Sequence, residues 1–240
     1  MIPLVLVHGF MGGSAQWAAQ VEALSDTHEI IALDLPGFGQ NTQMPVINTI
    51  DGFANWALTK LRELGVTRYN LLGHSMGGMI VQQMARHDQD NIKNLILLGT
   101  GALGVLPGRF ETIEQSKARA KQDGAAITAR RISATWFLEN QAARGYPTSA
   151  AIAELATTDA IAAGLDAMQS WSGEDFLNQI TPETTVIWGD KDRTYSWEQT
   201  HLLWASIPNA KLAVIPGCAH AVHAEKPALL NAVLLDVLSV

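Results

Sequence analysis

The stretch that most constrains this chain is Gly73 His74 Ser75 Met76 Gly77, with Gly78 behind it. An apolar run over 69–72 leads in and 79–85 continues with helical character, so a strand is expected to stop at Gly73 and a helix to start near Met76. Ser75 then sits at the corner. A turn this tight puts strained dihedrals on the serine and brings the strand and helix backbones together. Side chains two positions to either side have no room there, a need that Gly73 and Gly77 meet. The serine oxygen is pushed out at the edge of the sheet, near the positive end of a helix, where the N–H of Met76 can face a reacting carbonyl oxygen. A GxSxG pattern alone recurs by chance, but between a strand and a helix, with a second glycine, it points to a nucleophile.

The rest of the chain supplies a frame for such a corner. The aliphatic run 4–7 reads as a strand buried on both faces, and it ends in His8 Gly9 Phe10 Met11 Gly12 Gly13, whose glycines let backbone N–H groups approach a ligand. Ser14 is expected to cap a helix carrying Trp17, Val21 and Leu24. A second strand over 30–33 closes at Asp34 Leu35 Pro36 Gly37 Phe38 Gly39, and 49–64 reads as an amphipathic helix stopped by Gly65. After a strand over 95–98 the rhythm breaks. From 102 to 181 the segments 111–122, 125–140 and 149–172 read as helices, broken at Gly124 and at Gly145 Tyr146 Pro147. Strand signal returns over 185–188 and 212–215; Ser196 with Gln199 forms a capping box for a helix over 197–207, and Pro227 opens a last helix. Alternation of this kind implies an α/β fold: a doubly wound, mostly parallel sheet over 1–101 and 182–240, with 102–181 as a helical insertion.

Composition narrows the function. Of the 240 residues 48% are apolar and 16% charged, which suits a compact domain, and the formal charge of −7 argues against a nucleic-acid or anionic-membrane surface. Cys218 is the sole cysteine, so no internal disulfide forms, which fits a reducing cytoplasm. The apolar start lacks a basic lead, and no stretch is long enough to span a membrane. A cytoplasmic monomer or homodimer acting on a small molecule is the expectation.

Each remaining candidate follows the C-terminal end of a strand, where doubly wound sheets place their sites. Asp190 and Asp192 follow one strand and His220 the next. A serine hydroxyl needs a neutral imidazole to take its proton, and that imidazole needs an anion on its other nitrogen. Serine, then acid, then histidine along the chain meets that need: Ser75 as nucleophile, His220 as base, and Asp192 as the orienting acid, with Asp190 open as the substitute. His8 and His74 are assigned structural hydrogen bonds, Asp34 a bracing role in its loop, and Cys218 a packing role. His220 and His223, with Glu225 nearby, have no third ligand at matching local spacing, so no metal is expected. Arg109, Lys117, Arg119, Lys121, Arg130 and Arg131 make the first half of the insertion basic. One arginine turned inward would favour a carboxylate-bearing substrate; solvated helix faces are the simpler alternative. Trp136 and Trp171 either line a pocket over Ser75 with Phe10 and Met11 or form the insertion's own core.

Taken together, His8 Gly9 Phe10, Asp34 to Gly39, Gly73 to Gly78, Trp188 Gly189 Asp190 Lys191 Asp192, and His220 with Glu225 Lys226 Pro227 resemble the α/β-hydrolase family, lidded type, over essentially the whole chain. The resemblance extends to carboxylesterases, enol-lactonases and meta-cleavage hydrolases. It implies oxyanion-hole donors at the N–H groups of Phe10 and Met76, a helical cap over 102–181, Asp192 rather than Asp190 as the acid, and no cofactor. Many members begin with an antiparallel hairpin, whereas this sequence starts at the first parallel strand, so a sheet shorter at one edge is expected. The function so implied is hydrolysis of a small to medium carboxylic ester or lactone through an acyl-enzyme on Ser75. Carbon–carbon bond hydrolysis, signal reception and cofactorless oxygenase or perhydrolase chemistry are the alternatives on the same triad.

Overall fold

The computed structural model describes residues 2–106 and 111–239. Six strands, β1 (Leu4–Val7), β2 (Ile30–Leu33), β3 (Tyr69–His74), β4 (Ile92–Leu98), β5 (Glu183–Gly189) and β6 (Lys211–Ile215), pair in the order β2-β1-β3-β4-β5-β6, with every ladder parallel. The helices are α1 (Ala18–Leu24), α2 (Ile50–Glu63), α3 (Met76–Asp88), α4 (Ile113–Asp123), α5 (Ala125–Ala134), α6 (Tyr146–Ala153), α7 (Thr158–Gln169), α8 (Trp197–Ser206), α9 (Val222–Glu225) and α10 (Pro227–Leu238). Among the described residues no helix is long and apolar enough to cross a membrane.

Strand side chains alternate between two cores, as the two-residue period of a pleated strand requires. Val5, Val7, Leu71, Leu95, Leu97 and Val186 join the cluster that holds Phe53 and Ala57 of α2, Met79 and Ile80 of α3, and Leu203 of α8. Their neighbours Leu4, Leu6, Leu72, Ile96, Leu98 and Ile187 pack with Trp17, with Leu24 of α1, and with Leu230, Leu234 and Leu238 of α10. Both faces of the sheet are therefore covered. β1 lies between β2 and β3, so the chain reverses direction across the sheet there, and the loops after β1 and β3 open side by side at the carboxyl edge.

Local signals set most boundaries. Thr49 accepts from Gly52 N at 3.0 Å and starts α2, and Gly65 at φ 73° ends its last turn. The expected capping box of Ser196 and Gln199 starts α8. Ser14 differs from expectation. A 3-10 turn over Ser14–Trp17 precedes α1, and the Ser14 side chain bonds across to Asp34 rather than capping the helix, because a carboxylate of the neighbouring loop lies within reach. The segment between β4 and β5 is helical but more divided than its composition suggests. The stretch 125–140 ends its helix at Ala134, and 149–172 is two helices, since Thr157 turns its hydroxyl to Ala160 N at 3.1 Å and caps a new start.

The β3–α3 corner depends on backbone contact. A Cβ on Gly77 would stand 2.3 Å from Val7 O and 2.5 Å from His8 O, and one on Gly73 would stand 2.3 Å from Gly77 O. Backbone on both sides cannot yield. Gly77→Ala and Gly73→Ala are each expected to lose about 3 kcal/mol of stability, read as a lowered urea midpoint at unchanged m value.

Candidate active site

Ser75 occupies the corner with φ 57° and ψ −123°, a left-handed conformation costly to any residue with a Cβ. Neighbouring bonds hold it there: its N–H donates to Leu98 O at 3.0 Å, and its carbonyl accepts from Gly78 N and from Thr100 Oγ1, each at 2.8 Å. Gly9 lies so near that an added Cβ would stand 2.8 Å from Ser75 Cβ. Met76 is the first residue of α3, so its N–H is one of the donors a helix N-terminus leaves unshared.

The loops after β5 and β6 bring an acid to an imidazole. His220 Nδ1–H donates to Asp192 Oδ2 at 2.9 Å, with both side chains almost fully buried. The other carboxylate oxygen, Oδ1, accepts from Thr194 N at 2.7 Å and Tyr195 N at 3.1 Å, and the Tyr195 ring stacks on the imidazole at 5.6 Å. An ionised carboxylate only accepts, so the Nδ1 proton is fixed and Nε2 keeps its lone pair. Asp190 is used for loop structure instead. Its Oδ1 accepts from Gly217 N at 2.6 Å and ties the two loops together.

Three further histidines surround this pair without sharing its role. His8 donates from Nδ1 to Gly9 O at 2.8 Å and accepts at Nε2 from Leu35 N at 3.0 Å, so backbone occupies both nitrogens. His74 Nε2–H donates to the carbonyl of His220 at 3.1 Å, and its ring lies 4.6 Å from that of His220 and 4.8 Å from that of His223. Burial pushes all three down, His8 to about 4, His223 to about 3 and His74 well below the usual value, the last two also repelled by His220. Burial likewise pushes the Cys218 thiol up to about 12, as suits a packed side chain. Asp34 braces its loop, accepting from Ser14 N and Ser14 Oγ at 2.8 Å each.

A cavity of about 650 Å³ opens over the corner, and its walls include Phe10, Met11, Ser75, Trp136 and His220. Met11, fully buried, also has a positive φ of 57°. Trp171 lies elsewhere, with its Nε1 donating to Gln83 Oε1 at 3.2 Å, because α7 ends at Gln169 and the chain returns toward α3. Arg109 lies outside the described residues. Sequence reasoning missed the part played by Glu225. Its Oε1 accepts from Leu138 N at 2.7 Å and its Oε2 from Ala219 N at 2.6 Å, while Ala221 N donates to Trp136 O at 2.9 Å. Arg193 reaches the carbonyl of Phe137 from the acid loop. Both loops of the acid–histidine pair are thus fastened to residues 136–138. Only the closeness of Glu225 to His220 in sequence hinted at this.

The family model of the alpha/beta hydrolase fold matches residues 2–227. The chain belongs to that family. It is 26% identical over 241 residues to a putative carbamate hydrolase RutD of Pseudomonas savastanoi pv. phaseolicola, covering 98% of this chain and 93% of the relative. A thermophilic esterase from Thermogutta terrifontis, solved with malate bound, superposes with a TM-score of 0.91 at 26% identity, covering 100% of this chain and 90% of that one. The enol-lactonase of Burkholderia xenovorans LB400 gives a TM-score of 0.90 at 21% identity, covering 100% and 92%, a likeness of fold. As a member of this family the chain is assigned to the hydrolases.

The buried rings give stability a defined pH dependence. Above about pH 6.5 they are neutral whether the chain is folded or not. Below it the unfolded chain takes up protons that the folded one refuses, so stability falls by about 1.4 kcal/mol per pH unit for each ring. That loss runs down to about pH 4 for His8 and about pH 3 for His223. Urea denaturation at pH 7, 6 and 5 should show the decline, and His223→Gln should flatten its slope. Glu225→Gln should leave the fold intact and speed amide exchange at Leu138 and Ala219 together, measured by hydrogen exchange.

Proposed function

We propose that this protein is a cofactor-independent serine hydrolase that cleaves a small to medium carboxylic ester or lactone. The observation that carries the proposal is the 2.9 Å bond from His220 Nδ1 to Asp192 Oδ2, set in the wall of the cavity that also holds the strained Ser75. Ser75 Oγ attacks the carbonyl carbon while His220 Nε2 takes its proton, and Asp192 stabilises the resulting imidazolium without accepting that proton itself. The negative oxygen of the tetrahedral intermediate is held by the N–H groups of Phe10 and Met76, each worth roughly 3 kcal/mol in such sites. The imidazolium then protonates the leaving alcohol, and the intermediate collapses to an acyl-serine. Water, deprotonated by the same imidazole, releases the acid and restores the serine. In this reading residues 102–181 act as the cap that encloses the acyl group, with Phe10, Met11 and Trp136 among its contacts, and 1–101 with 182–240 form the core.

The neutral histidines support this assignment. Buried rings that stay uncharged leave Asp192 as the nearest full charge to the imidazolium, so charge separation at His220 meets no cationic neighbour among them. Ser75→Ala and His220→Ala are each expected to cut kcat by at least about 10⁴-fold on any working substrate, and Asp192→Asn by about 10⁴-fold. Near-normal turnover in either alanine variant would end the proposal. A panel of p-nitrophenyl esters, lactones and ring-cleavage diketones sets the substrate class. Turnover of diketones without esters would move the reaction to carbon–carbon cleavage on the same residues.

A further inference from the structure

Helix α5 and its C-cap residue present one stripe to the cavity. Thr128, Arg131, Ile132 and Thr135 all line it, and their spacing of three and four places them on a single face. Arg130, adjacent in sequence, points away and is engaged: its Nε donates to Glu154 Oε1 at 2.6 Å. Lys117 is also held outside, bonded to Asp166 at 2.8 Å and to Glu114 at 3.1 Å.

Arg131 is different from both. Its Nε–H is buried, and the side chain has no hydrogen-bond or ion-pair partner among the described residues. One turn earlier, Thr128 is 1% exposed and its Oγ1 is likewise without a partner among them. A buried donor left unmade is destabilising, more so when charged, so two on one stripe facing one cavity call for an acceptor from outside. The other charged side chains of that cavity are Arg119, Glu111 and Arg193. Arg119 lies 2.9 Å from Glu111, and Arg193 bonds the carbonyl of Phe137, so Arg131 is the cation left to meet a ligand. Met11, Ile161 and Leu165 line the same cavity as Arg131 and Ser75 and give it apolar surface suited to a short hydrocarbon spacer.

We propose that Thr128 and Arg131 form a carboxylate-binding subsite, so that the preferred substrates carry a free acid group separated by a short apolar spacer from the bond Ser75 attacks. A planar carboxylate accepts from the Arg131 fork and the Thr128 hydroxyl together, and one negative charge balances one guanidinium. A phosphate dianion would carry an unbalanced charge into a cavity that also holds Glu111. This subsite rests on the hydrolase reading for its catalytic meaning but not for its binding.

The test compares ethyl half-esters of dicarboxylic acids, from succinate to suberate, with the same esters whose free acid is converted to the primary amide. Wild-type protein should favour the acid over the amide by about 20-fold in kcat/KM at the best chain length, the factor expected of one charge-assisted contact. Arg131→Gln should bring that ratio near one, Arg131→Lys should keep part of it, and Thr128→Val should lower it several-fold. Arg130→Gln should leave both turnover and ratio unchanged, and melting temperatures verify that each variant folds. A ratio near one in wild type at every length, or an unchanged ratio in Arg131→Gln, overturns the subsite. Calorimetric titration of Ser75→Ala with glutarate and adipate, with and without Arg131→Gln, separates the two proposals. Arg131-dependent binding without turnover of any ester upholds the subsite and counts against the hydrolase. Amide and acid esters turned over alike uphold the hydrolase and overturn the subsite.

Discussion

The molecule depends on one close approach of backbone to backbone: the first turn of α3 against the end of β1, with Gly77 set on the carbonyls of Val7 and His8. Nothing with a side chain fits there, and Ser75 is driven into a conformation it would not adopt alone. The cost is met by what surrounds it, since both faces of the sheet are filled by separate cores that hold the strands in register. A strained residue at the rim of a rigid sheet keeps its oxygen in one place. The same approach sets the loop carrying Phe10 beside the helix N-terminus, so the proposed nucleophile and the proposed oxyanion donors share one scaffold.

Around that scaffold the protein uses burial to control charge. Four histidines lie near the corner, and three are held neutral by exclusion of water, with backbone or ring partners in place of carboxylates. Asp192 bonds only the fourth. One residue type therefore serves as structural hydrogen-bonding group and as candidate base, and the difference lies in the partner on the second nitrogen rather than in the ring.

Much of this was legible because it is local. The elbow motif, the strand-end positions of Asp192 and His220, and the caps at Thr49 and Ser196 are written in residues a few positions apart. Other features were set by distant partners. Ser14 has the form of a helix cap, yet Asp34, twenty positions away, claims its hydroxyl. Trp136 and Trp171 look alike in sequence, but only the first meets the cavity, because the chain after α5 turns toward His220 while the chain after α7 turns toward Gln83. Arg130 and Arg131 are neighbours whose separate fates follow from helical phase and from a glutamate on α6's far end. No local pattern shows which of two adjacent arginines will find an ion pair.

The fastening of residues 136–138 to both the acid loop and the histidine loop has a bearing on how such a protein diversifies. Exchanging the whole helical segment for a foreign one would sever the contacts of Glu225, Ala221 and Arg193 and so slacken the loops that carry Asp192 and His220. A graft that begins after Leu138 and returns before β5 leaves that seam whole. New specificities are therefore more accessible through α6 and α7, and through single positions on α5, than through wholesale replacement of the roof.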